Sequence, residues 1–199
     1  NGPLTAHNEM NMSPQRVEAY VNHNTIYQRA FKKAYGIKYI TMKDVIDAIV
    51  EFEKALITPN SRFDRYLRGE AELTDKEKKG YAKFKSLGCI TCHNGINVGS
   101  NSFQKMGLFK NYPYDKKYKD RFSVTKKESH KNVFKVPTLR NITLTAPYFH
   151  DANATTLEDA IDKMAQYNLG VFLSKQDIDL LITFLKSLEG ERPAILDMP

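Results

Sequence analysis

The two cysteines of this 199-residue chain, Cys89 and Cys92, are followed at once by His93. Cys89-Ile90-Thr91-Cys92-His93 has the spacing of covalent c-type haem attachment. Two thiols one helical turn apart reach the two vinyl groups on one edge of a porphyrin. The adjacent imidazole is then placed under the iron as proximal ligand. Other uses of the pair meet obstacles. A structural zinc site wants four nitrogen or sulfur ligands, and no second cysteine pair exists to complete one. A redox Cys-x-x-Cys should follow a strand in a βαβ unit, whereas the residues upstream read as helix. A disulfide between residues three apart would be strained and would close almost no loop.

The elements that must hold this motif are legible on both sides of it. Thr74-Asp75-Lys76-Glu77 is a capping box after Leu73, opening a helix that runs into the motif, with Gly80 and Phe84 on one face. A glycine at that place lets another helix approach closely. Ser174-Lys175-Gln176-Asp177 caps a last helix with a 3.6-residue stripe of Ile178, Leu181, Ile182, Leu185 and Leu188, expected to stop near Gly190. Further helices are predicted from Ser13-Pro14, from about Thr25 to Gly36, and from Thr41-Met42-Lys43-Asp44.

A sixth iron ligand must come from the remaining methionines and histidines: Met10, Met12, Met42, Met106, Met164, Met198, His7, His23, His130 and His150. Met164 stands out. It lies on a helix opened by Thr155-Thr156-Leu157-Glu158 and shares a face with Leu157 and Ile161. That stripe suits plain core packing equally well. Between His93 and Thr155 the pattern has little periodicity, yet the stretch carries nine of the 22 Phe and Tyr. A cofactor that replaces part of the apolar core gives such a loop something to wrap.

Composition bounds the rest. Hydrophobic residues are 41%, charged residues 27% and the mean hydropathy is −0.52, ordinary globular values. No apolar run approaches the ~18 residues of a membrane span. The net charge of +7 is carried by the stretch from Gln104 to Lys135. No nucleic-acid recognition motif accompanies those lysines, so they read as a solvated loop. The chain opens on Asn1 without a charged-then-apolar leader, and a processed start is expected.

Several separate blocks of the sequence resemble the bacterial dihaem cytochrome c peroxidases. They are Gly88-Cys89-Ile90-Thr91-Cys92-His93-Asn94-Gly95, Phe134-Lys135-Val136-Pro137-Thr138-Leu139-Arg140-Asn141, and Thr145-Ala146-Pro147-Tyr148-Phe149-His150-Asp151. Leu56-Ile57-Thr58-Pro59-Asn60-Ser61 and Phe63-Asp64-Arg65-Tyr66-Leu67 match as well, so the likeness covers essentially the whole chain, in order.

The resemblance implies an all-α chain with a cytochrome c-like haem domain and long irregular haem-wrapping loops over residues 70–190. Residues 1–69 would be N-terminal helices belonging partly to a first haem domain, and 191–199 a tail. Cys89 and Cys92 would hold an electron-accepting haem c, with His93 proximal and Met164 distal to its iron. Calcium would take backbone carbonyls of Thr145 and Pro147. Glu9, in Glu9-Met10 after Gly2-Pro3, would be the acid/base that moves a proton between the peroxide oxygens. His150 and Asp151 would orient the haem pocket or its propionates, a purely structural role being equally open.

Family members carry two Cys-x-x-Cys-His motifs and this chain one, so a second haem is expected in an N-terminal half. The implied function is reduction of hydrogen peroxide by electrons from a small redox protein, a monohaem cytochrome c or a cupredoxin. A periplasmic location follows from where covalent haem c is assembled, and a homodimer from the family. Two other readings stand beside it. One is a stand-alone monohaem electron carrier. The other is a quinone-cofactor-forming relative that uses a distal tyrosine, for which Tyr167 lies one turn past Met164.

Overall fold

The computed structural model describes residues 2–197. Asn1, Met198 and Pro199 lie outside them, Met198 among the iron-ligand candidates. The chain divides into two compact units.

The first unit is built from residues 2–57 and 193–197. It holds α1 (Gly2–Thr5), α2 (Pro14–His23), α3 (Thr25–Tyr35) and α4 (Met42–Ala55). Each longer helix starts where its cap dictates. The Ser13 hydroxyl accepts from Arg16 N–H, and Pro14 at the first turn has no N–H to satisfy. Thr41 and Asp44 form a reciprocal capping box. Gly36 ends α3 in the left-handed conformation (φ 71°), its N–H donating to the Lys32 carbonyl at 3.0 Å. The core is small: Val21, Phe31 and Ile40, with Ile37, Val45 and Ala48 at its edge. The Asn22 side chain braces it, donating to the Ile40 carbonyl at 2.7 Å and accepting from the Ile40 N–H at 3.0 Å.

The second unit runs from Thr58 to Arg192, so residues 58–69 cluster with it rather than with the helices before them. It contains α5 (Arg62–Leu67), α6 (Asp75–Ser86), β1 (Phe103–Lys105), α7 (Arg121–Thr125), β2 (Val133–Lys135), α8 (Leu157–Met164) and α9 (Lys175–Lys186). Phe63 on α5 is buried in the same core as Phe84, Leu181, Phe184, Leu185 and Leu188. The strands correct the all-α expectation. They form a two-stranded antiparallel ribbon pairing Phe103 with Lys135 and Lys105 with Val133. Pairs so distant in sequence leave no local periodic trace in strands of three residues.

The crossing of α6 and α9 organises the unit. A Cβ on Gly80 would lie 2.1 Å from the Leu180 carbonyl oxygen and 2.9 Å from Phe184 Cβ, so only glycine permits this approach. Phe184 is 1% exposed and packs between Phe63 at 5.2 Å, Tyr81 at 5.1 Å and Phe84 at 5.1 Å between ring centroids.

The ends of the unit are clipped together. Phe63 N–H donates to the Ser187 carbonyl at 2.9 Å and Glu191 N–H to that of Pro59 at 2.8 Å. Asn141 joins both ends, donating to the Thr58 hydroxyl at 2.7 Å and accepting from the Gly190 N–H at 2.9 Å. The last helix stops at Lys186, short of Gly190. That glycine serves instead a close approach to Thr58, whose carbonyl oxygen a Cβ would meet at 2.1 Å.

Candidate haem-binding site

The helix before the motif does not run through it. After α6, Gly88 takes the left-handed conformation (φ 85°), and Cys89–Thr91 forms a 3₁₀ turn. With three residues per turn, side chains three apart eclipse, so Cys89 and Cys92 project to the same side. The Cys89 carbonyl accepts the amides of Cys92 at 3.3 Å and His93 at 3.0 Å, closing the turn. The Asn94 side chain donates to the carbonyls of Ile90 and Thr91, each at 3.0 Å, and so satisfies its end.

Neither thiol is in a disulfide. Burial pushes the Cys89 thiol up to about 11 and raises that of Cys92. A catalytic redox pair needs a lowered thiolate, and this one is raised. Cys89 packs against the main core beside Ile142, Leu157 and Ile161. The motif and the inner face of α8 therefore share one apolar cluster.

The loop after His93 is laced to residues 136–140. Ser100 N–H donates to the Val136 carbonyl at 2.8 Å, and Leu139 N–H to that of Val98 at 3.2 Å. Thr138 Oγ1 donates to the Asn97 carbonyl at 2.6 Å. Gly99 lies so close to Pro137 that a Cβ would meet its carbonyl oxygen at 2.1 Å. Arg140, to which sequence reasoning assigned no role, ties this loop down. Its Nε donates to the Ile96 carbonyl at 2.7 Å while its two terminal nitrogens grip Asp64 on α5 at 2.8 and 2.7 Å. The Arg140 guanidinium, with Ser61, holds the Asp64 carboxyl below the usual carboxylate range.

The laced loop covers the His93 ring. Its Nδ1 is buried without a hydrogen-bond partner of good geometry. Burial lowers its basicity, partly countered by the nearby backbone of Val98 and Pro137. The imidazole is therefore neutral at physiological pH, the form that ligates metal. Turning Nδ1 into the protein leaves Nε2 for iron. Two unpaired thiols on one turn, a neutral imidazole beside them and an apolar wall fit a covalently held haem.

Met164 is half-buried at the C-terminal end of α8. A π-helical turn, Ala165–Leu169, follows it directly, a rare feature often found at functional sites. Tyr167, in that turn, packs edge-on to Tyr112 at 4.9 Å and lies under Lys110 Nζ at 5.2 Å. Met106, the weaker candidate, is buried at 7% exposure beside the ribbon. His150 stacks on Phe134 at 4.0 Å and meets Tyr112 and Tyr118 edge-on. Asp151 accepts the Tyr112 hydroxyl at 2.8 Å. These contacts give both residues a structural use.

Thr145 and Pro147 are exposed after a 3₁₀ turn, Ile142–Leu144. Two carbonyls fall short of the six to eight oxygens that calcium takes, and among the described residues no cluster of three or more His, Cys, Asp or Glu converges anywhere. Glu9 is exposed and belongs to the other compact unit.

Known proteins resemble this chain along most of its length. The family model described as di-haem cytochrome c peroxidase matches residues 1–72. The cytochrome c551 peroxidase of Nitrosomonas europaea is 42% identical over 193 residues, covering 96% of this chain and 58% of that protein. The cytochrome c peroxidase Ccp of Escherichia coli is 47% identical over 152 residues, 74% of this chain and 33% of the relative. The match thus spans 58% of the length of the first relative and a third of the second. Among solved structures, a MauG-like protein associated with microbial copper homeostasis aligns with a TM-score of 0.84 at 26% identity, over 96% of this chain and 67% of that one. On its haem-attachment motif and these relatives, the chain belongs to the bacterial dihaem cytochrome c peroxidase family.

Proposed function

We propose that this chain is the electron-accepting portion of a peroxidase that converts hydrogen peroxide, two electrons and two protons into two waters. The observation that carries the reading is the 3₁₀ turn Cys89–Thr91 that brings two unpaired cysteines, Cys89 and Cys92, next to a His93 whose Nδ1 is buried. When bound, haem c supplies a one-electron redox centre. Cys89 and Cys92 would hold it covalently, His93 and Met164 would ligate its iron, and a thioether ligand would favour a raised potential. The Arg140–Asp64 pair and Asn94 fix the loop that orients His93. Glu9, which lies in the other compact unit, would move a proton between the peroxide oxygens. The second haem would be supplied by sequence outside these residues, with residues 1–69 partly against its domain and 70–190 forming the haem domain, onto which residues 58–69 pack.

The further assignments rest on the same resemblance. The donor is a monohaem cytochrome c or a cupredoxin, the location is periplasmic, and the assembly is a homodimer. Thr145 and Pro147 contribute carbonyls to a calcium site completed from elsewhere, and no step is derived through it.

The MauG-like structural match keeps the quinone-cofactor-forming reading in view. Tyr167 weighs against it, because its ring is already packed on Tyr112 and Lys110.

The test is to count haem in the purified chain and measure peroxide-dependent oxidation of a reduced small cytochrome c. One haem per chain, a low-spin spectrum altered by Met164→Ala, and turnover only when the longer protein is restored are expected. Turnover by the 199 residues alone would overturn the division of labour. A spectrum untouched by Met164→Ala would remove the distal assignment. One haem per chain with no turnover even in the longer protein would make this a simple electron carrier.

A further inference from the structure

The segment that follows Met164 carries a surface with an unusual composition. The Tyr167 carbonyl accepts the amides of Phe109 at 3.0 Å and Lys110 at 3.2 Å. Asn168 Nδ2 donates to the Lys105 carbonyl at 3.2 Å, and its Oδ1 accepts from the Gly107 N–H at 2.8 Å. Residues 105–110 are thereby sewn to the π-helical turn one helical turn beyond Met164. The Phe109 ring occupies the space a Gly170 side chain would need, at 3.1–3.2 Å from a built Cβ.

What this scaffold displays is apolar and unpartnered. Phe172 is 86% exposed, Phe109 72% and Leu108 55%, and a shallow cleft of about 190 Å³ opens between the two phenylalanines. Scattered exposed apolar side chains are ordinary, but adjacent large ones held on a pinned backbone mark an interaction site. The segments that carry the patch are basic. Residues 105–111 and 165–175 contain Lys105, Lys110 and Lys175 and no Asp or Glu. Among the described residues none of these lysines forms an ion pair. The carboxylates next along the chain are already engaged: Asp177 by Lys83 at 2.8 Å, Asp179 by Lys76 at 2.6 Å, Asp115 by Lys117 at 3.3 Å, and Asp162 by the Gln166 side-chain amide at 2.7 Å.

We propose that the Phe109–Phe172 patch, with Lys110 at its edge and Lys105 and Lys175 on the segments that carry it, is the docking surface for an electron-donor protein with an acidic rim around an apolar exit for its electron. This rests on the functional reading above. The step is the passage of one electron from the donor's reduced metal centre to the ferric haem iron of this chain, with no bond made or broken. Lysine rims steer an acidic partner and set its salt dependence, while the desolvated aromatic centre holds it.

The experiment uses the haem-loaded chain and an acidic cupredoxin, with a basic mitochondrial-type cytochrome c as the opposite-charge control. Binding is read by calorimetry with both partners oxidised, and electron transfer by stopped flow. Lys110→Glu is expected to weaken cupredoxin binding by about tenfold at low salt and less at high salt. Phe172→Ser is expected to weaken it several-fold, on the order of one hot-spot contact, at every salt concentration. Its side chain is solvent-exposed, so folding is not at stake. Unchanged affinity in both variants, tighter binding of the basic cytochrome, or self-association abolished by Phe172→Ser would overturn the proposal. Ascorbate reduction separates the two claims. A haem that ascorbate cannot reduce refutes the functional reading, whereas a reducible haem with charge-blind donor binding refutes only the docking surface.

Discussion

The two compact units solve the same problem with unequal means. Residues 58–192 close an aromatic core around Phe184, and the crossing of α6 and α9 leaves room for nothing larger than Gly80. Residues 2–57 bury little more than Val21, Phe31 and Ile40, while Ile26 is 72% exposed, Tyr20 61% and Tyr39 61%. Their order comes chiefly from caps and from the Asn22 brace. The contrast teaches where each unit is vulnerable. A site that must hold a ring of fixed geometry needs packing at contact distance. Helices specified by their ends tolerate local change but respond to anything that alters backbone conformation.

The largest effect that would test this contrast is Gly80→Ala. The added methyl group meets a carbonyl oxygen on a facing helix, and backbone cannot swing aside as a flexible side chain can. We expect a loss of at least ~3 kcal/mol, at or beyond the upper end for overpacking, read by urea denaturation of the chain. Phe184→Ala should cost about 3–5 kcal/mol by leaving a cavity among three aromatic rings. Phe31→Ala should cost less, since fewer buried groups surround it. Equal losses for the two phenylalanines would mean that the small core is as tightly determined as the large one, and the contrast would fail.

The Arg140–Asp64 pair gives a sharper, pH-dependent test. Asp64→Asn should cost about 2–3 kcal/mol near neutral pH, the range for a hydrogen-bonded charge partner. The folded-state carboxyl is held below its ordinary value of 3.8, chiefly by Arg140. Its contribution is therefore fully present above that value and is lost as pH falls through the lower, folded one. The stability gap between the natural chain and the variant should stay flat from pH ~7 to ~5 and close in more acid solution. A gap that instead widened in acid would show that Asp64 acts through something other than its charge. Because Arg140 also holds Ile96, the same variant should broaden the haem absorption of the loaded chain.

Much of this architecture was legible because its signals are local. The capping residues Ser13, Thr41, Thr74 and Ser174 lie within three residues of the amides they satisfy, and their helices begin where expected. The haem motif is likewise complete within five residues. What escaped is non-local or conformational. The β1–β2 ribbon depends on pairing across the loop it closes, and the Asn141 clip joins residues at the two ends of the unit. Arg140 reads as one more surface cation until Asp64 and Ile96 are seen to converge on it. The break at Gly88 changed the motif's geometry from α to 3₁₀, which a sequence spacing of three does not reveal, since residues three apart lie on much the same side in either.

The smallest effect discriminates most finely between the units. Gly36 has open space where a Cβ would go, so its substitution touches no packing. Its φ of 71° remains costly for any other residue, and Gly36→Ala should lose only about 1–2 kcal/mol. The loss should also be confined. Hydrogen exchange should accelerate at amides of α3 and the adjoining turn, where the Lys32 carbonyl takes the Gly36 N–H, while amides of α6 and α9 keep their protection. If α9 exchanged faster by the same factor, the chain would be unfolding as one cooperative body. The small core would then draw its stability from the large one, and the division of the molecule into a packed site and a capped scaffold would have to be abandoned.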